Sequence, residues 1–128
     1  MMSVPANLRY TNDHEWARDE GDGTYTVGVT DHAQEALGGI VYVELPAEGT
    51  RVSAGGRFGT VESTKSVSEL YAPISGVVVA KNEGLDAAPE AVNDDAYGAG
   101  WMVRIQAESS GEFQALMDAA AYATHIGG

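Results

Sequence analysis

Val61-Glu62-Ser63-Thr64-Lys65-Ser66-Val67-Ser68-Glu69-Leu70-Tyr71 is the stretch on which the reading of this chain turns. Apolar residues flank the lysine on both sides at strand-like spacing. Between them Ser63 to Ser66 are small and polar, the composition of a tight bend. The run therefore predicts two strands, Arg57 to Glu62 and Val67 to Tyr71, joined by a turn that lifts Lys65 into solvent. Lys65 and Lys81 are the only two lysines among 128 residues. A lysine raised in this way is open to a modifying enzyme and then to the active site of a later partner.

Working outward, short runs separated by Gly, Pro and Asp continue the strand pattern. Thr24 to Val29, Gly39 to Leu45, Gly76 to Ala80 and Trp101 to Ile105 read as strands. Asp31 and Gln34 have the spacing of a capping box on a short helix, which Gly38 would end. A further helical turn is expected near Pro89. From Ser109 onward the character changes: Ser109 and Glu112 again have capping-box spacing, and Phe113, Leu116, Met117 and Ala120 recur at helical spacing. That stripe predicts a helical tail docked on the core. A faint repeat, Gly39-Ile40-Val41-Tyr42-Val43 against Gly76-Val77-Val78-Val79-Ala80, brackets the lysine turn and suggests quasi-twofold halves.

Composition narrows the function classes. The length fits one domain, residues 1–128, able to bury roughly two-thirds of its unfolded surface. There is no cysteine, which excludes disulfides, thiolate metal sites and a cysteine nucleophile. The net charge of −12 disfavours nucleic acid and anionic membranes. No apolar run approaches the ~20 residues of a membrane span. Met1-Met2-Ser3-Val4-Pro5 has no basic region leading into an apolar stretch, so a cytoplasmic location is expected, or a mitochondrial matrix one if a transit peptide has been removed.

Four ordered segments carry a family resemblance. Tyr10-Thr11-Asn12-Asp13-His14-Glu15-Trp16, Val27 to Gly38, Val61-Glu62-Ser63-Thr64-Lys65 and Tyr97-Gly98-Ala99-Gly100-Trp101 together resemble the H protein of the glycine cleavage system, within the lipoyl and biotinyl carrier group. Thr64 and Ser66 stand where the family often has Val and Ala, a small change. Ala96 stands where a proline is common, which predicts a looser loop before Trp101. Biotin carriers place Met beside the lysine, whereas the Met here are Met1, Met2, Met102 and Met117.

The resemblance implies a mainly β fold, a barrel-sandwich hybrid of two interlocked hairpin sets with a short helix in the N-terminal half and a C-terminal helical tail. The terminal extensions would pack on a single carrier domain. It implies lipoate attached to Lys65, with Glu62 serving the turn and its recognition by the attaching enzyme. It further implies a cleft for the docked arm, with Glu15 as charge partner, His14 and Trp16 as lining and Glu69 as a further residue facing the arm. The implied partners are a pyridoxal-phosphate glycine decarboxylase, a folate-dependent aminomethyltransferase and a flavin-dependent dihydrolipoyl dehydrogenase. A lipoate ligase or a lipoyl or octanoyl transferase would attach the arm, because nothing in the sequence makes Lys65 a self-activated nucleophile. The carrier itself would be a non-catalytic monomer.

Three other readings stay open at this point. An enzyme would have to use His14, His32 or His125, with Asp31-His32 the only adjacent acid–base pair; no nucleophile elbow, phosphate loop or zinc spacing accompanies them. The chain could be an unmodified interaction module of the same fold. It could also relay lipoyl groups to 2-oxo acid dehydrogenases.

Overall fold

The lysine hairpin forms as the sequence predicts. In the computed structural model, which describes residues 4–127, strand β6 (Arg57–Ser63) pairs antiparallel with β7 (Val67–Tyr71), Glu62 facing Val67 and Val61 facing Ser68. On its other side β6 pairs with β4 (Ile40–Glu44), giving a three-stranded sheet in the order β4-β6-β7. The second sheet has six strands: β1 (Arg9–Tyr10), β2 (Glu15–Asp19), β3 (Thr24–Val29), β5 (Arg51–Val52), β8 (Gly76–Lys81) and β9 (Val103–Ala107). Their order is β1-β2-β3-β9-β8-β5, every pair antiparallel. The two sheets do not close into one barrel; they share a core. Val27, Val78, Val103 and Ile105 from the larger sheet meet Val43, Val61 and Leu70 from the smaller one, all buried. Full burial of each such side chain stabilises the fold by about 1.5–3 kcal/mol. The two copies of the faint repeat fall in different sheets, as β4 and β8.

The short helix is α1 (Asp31–Leu37), and its cap lies one residue earlier than the sequence suggested. Thr30 Oγ1 accepts from the Ala33 amide at 3.2 Å, while Gln34 Nε2 donates to Asp31 Oδ1 at 3.0 Å. Thr30 is fully buried and extended, the conformation an N-cap needs. Gly38, with φ of +84°, ends the helix as expected and returns its amide to Gln34 O. Around Pro89 two single turns form, α2 (Gly84–Ala87) and α3 (Ala91–Asp94). The last strand begins at Val103 rather than Trp101, since the Trp101 amide closes a turn onto Gly98 O at 3.0 Å.

Two expectations for the chain's second half are corrected. The loop before Trp101 is not loose: Asp95 O accepts from Gly98 and Gly100, Asp95 Oδ2 from Ala99, and Ala96 O receives the Trp16 indole N–H at 3.1 Å. The tail is not one helix but two, α4 (Gly111–Gln114) and α5 (Ala119–His125). Glu112 does not cap its helix; its carboxylate accepts from Ser75 N at 2.7 Å and Ser75 Oγ at 3.0 Å, which ties the tail to the larger sheet. Asp118 caps α5 instead, and Ala120 is exposed. The residue that anchors α5 is Tyr122, buried with Leu8, Tyr10 and Trp16 in a second apolar cluster and stacked on Tyr10 at 4.5 Å between ring centroids.

Candidate functional site

Lys65 stands at the apex of the β6–β7 turn, exposed, as do Thr64 and Ser66 beside it. The turn is held by one side chain. Ser63 Oγ accepts from the Lys65 and Ser66 amides, both at 3.1 Å, and the Ser63 amide donates to Ser66 O at 2.8 Å. A serine bonding its own downstream backbone in this way fixes a turn without help from tertiary contacts. The Thr64 amide donates to Gly39 O at 2.9 Å, which anchors the turn to the segment between α1 and β4. Lys65 itself lies along Gly38: a Cβ added there would meet Lys65 Cε at 3.0 Å. The lysine is thus presented at the C-terminal end of α1 on a backbone with little freedom.

A cleft of about 190 Å³ opens between α1 and β7. Ala33, Ala36 and Leu37 form one wall, Ser68 and Leu70 the other, and Asp13, His14 and Glu15 lie at its end. A larger hollow of about 450 Å³, lined in part by Thr11, Tyr71 and Met117, meets Glu15 as well. Glu15 is 2 % exposed. Its carboxylate accepts from Thr11 Oγ1 at 2.7 Å and from the Tyr71 amide at 3.2 Å. Burial dominates these two bonds and pushes its pKa up to about 7.

This shift has a stability consequence. The folded protein keeps the Glu15 proton up to about pH 7, whereas the ordinary value is 4.5, so the folded state loses ground as pH rises through that window and levels off above it. Wild type is expected to lose about 3 kcal/mol relative to Glu15→Gln across that window. Chemical denaturation of both proteins at several pH values reads this directly; parallel profiles would mean that Glu15 ionises as an exposed carboxyl does.

His14 takes the left-handed conformation, φ +70°, unusual for a residue with a side chain. Thr11 holds the bend, accepting at Oγ1 from the Asp13 and Glu15 amides, while Thr11 O accepts from the His14 amide. His14 Nδ1 lies 2.8 Å from Tyr122 Oη, which lies 2.8 Å from Thr30 Oγ1. His32 and His125 stand 4.6 and 5.7 Å from the His14 ring, so all three histidines gather here. Burial first, then these two neighbours, lower the His14 pKa below the ordinary histidine value. A neutral imidazole that binds Tyr122 orients the end of the cleft. Of the Asp31–His32 pair, Asp31 Oδ1 accepts from Gln34 Nε2, and the His32 ring stands against that of His14.

The remaining sequence candidates divide. Glu69 is at the cleft wall, and its carboxylate sits 3.8 Å from Arg57 Nε. Glu62 is half-buried on the outer side of the hairpin, opposite Val67 and Tyr42. Trp16 is not brought to the cleft. Neighbours along a strand point to opposite faces, so with Glu15 towards the cleft, Trp16 is fully buried on the far side and spans Gly28, its partner in β3. Sequence reasoning missed Thr11 and Tyr122, which position Glu15 and His14. Thr11 lies within the resembling segment and four residues before Glu15; Tyr122 had no local signal.

Comparison with known proteins agrees with this architecture over nearly the whole chain. The family model described as glycine cleavage H-protein matches residues 8–127. The glycine cleavage system H protein of an Enterobacter species is 54% identical over 123 residues, covering 96% of this chain and 95% of its own. That of Chromohalobacter salexigens is 52% identical over 122 residues, covering 95% and 93%. The crystal structure of a glycine cleavage system H protein from Mycobacterium marinum superposes with a TM-score of 0.88 at 42% identity, over 97% of this chain and 99% of that one. The chain belongs to the glycine cleavage H-protein family.

Proposed function

We propose that the protein is the lipoyl-bearing carrier of a glycine cleavage system, a single non-catalytic domain over residues 1–128, acting as a monomer in the bacterial cytoplasm, with Lys65 as the attachment site. One observation carries the reading: an exposed lysine on a turn pinned by Ser63, lying along Gly38 at the end of α1, whose Leu37 lines a narrow cleft shared with the buried Glu15. Among the described residues no helix is long and apolar enough to cross a membrane.

The residues present suit the group. An extended aliphatic chain needs apolar walls, which Leu37, Ala36 and Leu70 supply, and an ammonium at its far end needs an acceptor, which Glu15 supplies. Lipoate, when attached, provides a cyclic disulfide able to take up an aminomethyl group together with two electrons. The chain's own work is then to hold and shelter. Lys65 provides the amide anchor. The α1 and β7 walls exclude water from the carried amine. Glu15, poised near neutrality, ionises when an ammonium approaches, because an opposite charge at close range favours the carboxylate. His14 is held neutral and adds no competing positive charge. Glu62 and Glu69 frame the hairpin; Trp16 supports β2 from the core.

The partners are a pyridoxal-phosphate decarboxylase that loads the carrier, a folate-dependent aminomethyltransferase that unloads it, and a flavin-dependent dehydrogenase that reoxidises it. A ligase or a lipoyl or octanoyl transferase performs the attachment. A relay of lipoyl groups to 2-oxo acid dehydrogenases would use the same lysine, and family membership favours glycine cleavage. The test is reconstitution: the lipoylated chain with the three enzymes, glycine, tetrahydrofolate and NAD should yield glycine-dependent NADH, and the unlipoylated chain should yield none.

Glu15→Gln should hasten loss of the amine from the loaded protein about tenfold, the effect of removing roughly 1.4 kcal/mol of charge-assisted bonding. Release followed by ammonia or formaldehyde production would read it. Unchanged kinetics would take Glu15 out of the docked state.

A further inference from the structure

Four large apolar side chains of the described residues are well exposed, and three of them, Val41, Tyr42 and Val67, lie on the small sheet that carries Lys65. Two fall in one cross-strand row. Tyr42 of β4 faces Glu62 of β6, and Glu62 faces Val67 of β7. Residues directly opposite in antiparallel strands share a face. The face is the outer one, because Val43, Val61 and Leu70 of the same strands are buried. Tyr42 is 50% exposed and Val67 64%. The next row outward is Glu44, Thr60 and Glu69, with Arg57 3.7 Å from Glu44 and 3.8 Å from Glu69. The sheet thus shows an apolar bar two residues from Lys65, crossed by Glu62 and backed by two carboxylates for one arginine.

Resting on the carrier reading, we propose that the Tyr42–Glu62–Val67 bar is the docking surface for the enzyme that acylates Lys65, through an apolar patch on that enzyme rimmed by Lys or Arg. The place of the bar selects this occupant. An attaching enzyme must bring its active site to Lys65 Nζ, so its surface must cover the strands that flank the turn. Enzymes that act on the far end of the arm have no such need, because they meet that end once the arm has swung out of the cleft. A half-exposed tyrosine is the kind of side chain that anchors a binding hot spot, and Val67, one strand beyond Glu62, extends the apolar surface around it. The carboxylates around it speed the encounter with a basic rim and set its orientation.

The experiment compares acceptor kinetics of lipoate ligase, with lipoate and ATP, on wild type, Tyr42→Thr, Val67→Thr and the double variant. Threonine keeps strand propensity and removes the apolar surface. Val79→Thr is the control, an exposed valine on β8 of the other sheet. Each bar variant should lower kcat/KM about tenfold, mainly through KM, and the double variant more, with Val79→Thr unchanged and thermal unfolding similar throughout. Each variant, once lipoylated by long incubation, should be reoxidised by dihydrolipoyl dehydrogenase as fast as wild type. Acceptor kinetics equal to wild type would overturn the proposal, and so would an equal loss in the reoxidation step. Failure of wild type itself to be lipoylated would instead overturn the carrier reading on which this one rests.

Discussion

Lys65→Arg is expected to abolish glycine-dependent NADH formation in the reconstituted system while leaving the fold unchanged. Arginine keeps the charge and the length of the stem, and Lys65 is exposed, so no packing is lost. The turn is held by Ser63 and by the Thr64 amide on Gly39 O, neither of which involves the lysine head. What is lost is the primary amine. A guanidinium stays protonated and delocalised and does not form the amide on which a swinging arm depends. The loss is therefore complete rather than graded. Thermal unfolding and activity measured on the same preparations separate the two consequences. Residual turnover above the background of the unlipoylated protein would mean that another group carries the arm.

Gly76→Ala should have the largest effect on stability, about 3 kcal/mol or more. Gly76 is in β8 between two partners, opposite Val52 of β5 and Ala107 of β9. A Cβ there would overlap the carbonyl oxygen of Gln106 and stand 2.8 Å from Ile105 Cγ2. The first of these is backbone in a hydrogen-bonded ladder, and it cannot yield without shifting β9, which also pairs with β3. Conformational freedom is not the issue; close approach is. Urea unfolding would show the midpoint shift. A variant as stable as wild type would mean that β8 and β9 can separate locally at little cost.

The local features were legible and the long-range ones were not. The hairpin at Lys65 was read correctly almost to the residue because alternation and small turn residues are short-range signals. The Gly38 stop was legible for the same reason. The cap at Thr30 was misread by one position: Asp31 and Gln34 have capping-box spacing, and their side chains do bond each other, but the buried Thr30 hydroxyl reaches the helix amide. In the tail, the helical stripe from Phe113 to Ala120 mixed two short helices, since Glu112 is drawn off to Ser75, 37 residues away. The site divided in the same manner. The exposed place of Lys65 at the turn apex was evident from the local sequence. Glu15, His14 and Trp16 entered only through family resemblance, and Trp16 proved to face the other way along β2. Tyr122, 108 residues from His14, joins the candidate site only through the docking of α5.

Where the lipoyl group goes is the most direct test of carriage on Lys65. The chain has only two lysines, and the second, Lys81, lies within β8, paired with Val103. Peptide mass spectrometry after expression with lipoate and a lipoate ligase can therefore assign the group without ambiguity. A single lipoyl increment is expected, wholly on the peptide that contains Lys65. An increment on Lys81, or none with a ligase that modifies another acceptor in parallel, would contradict carriage on Lys65.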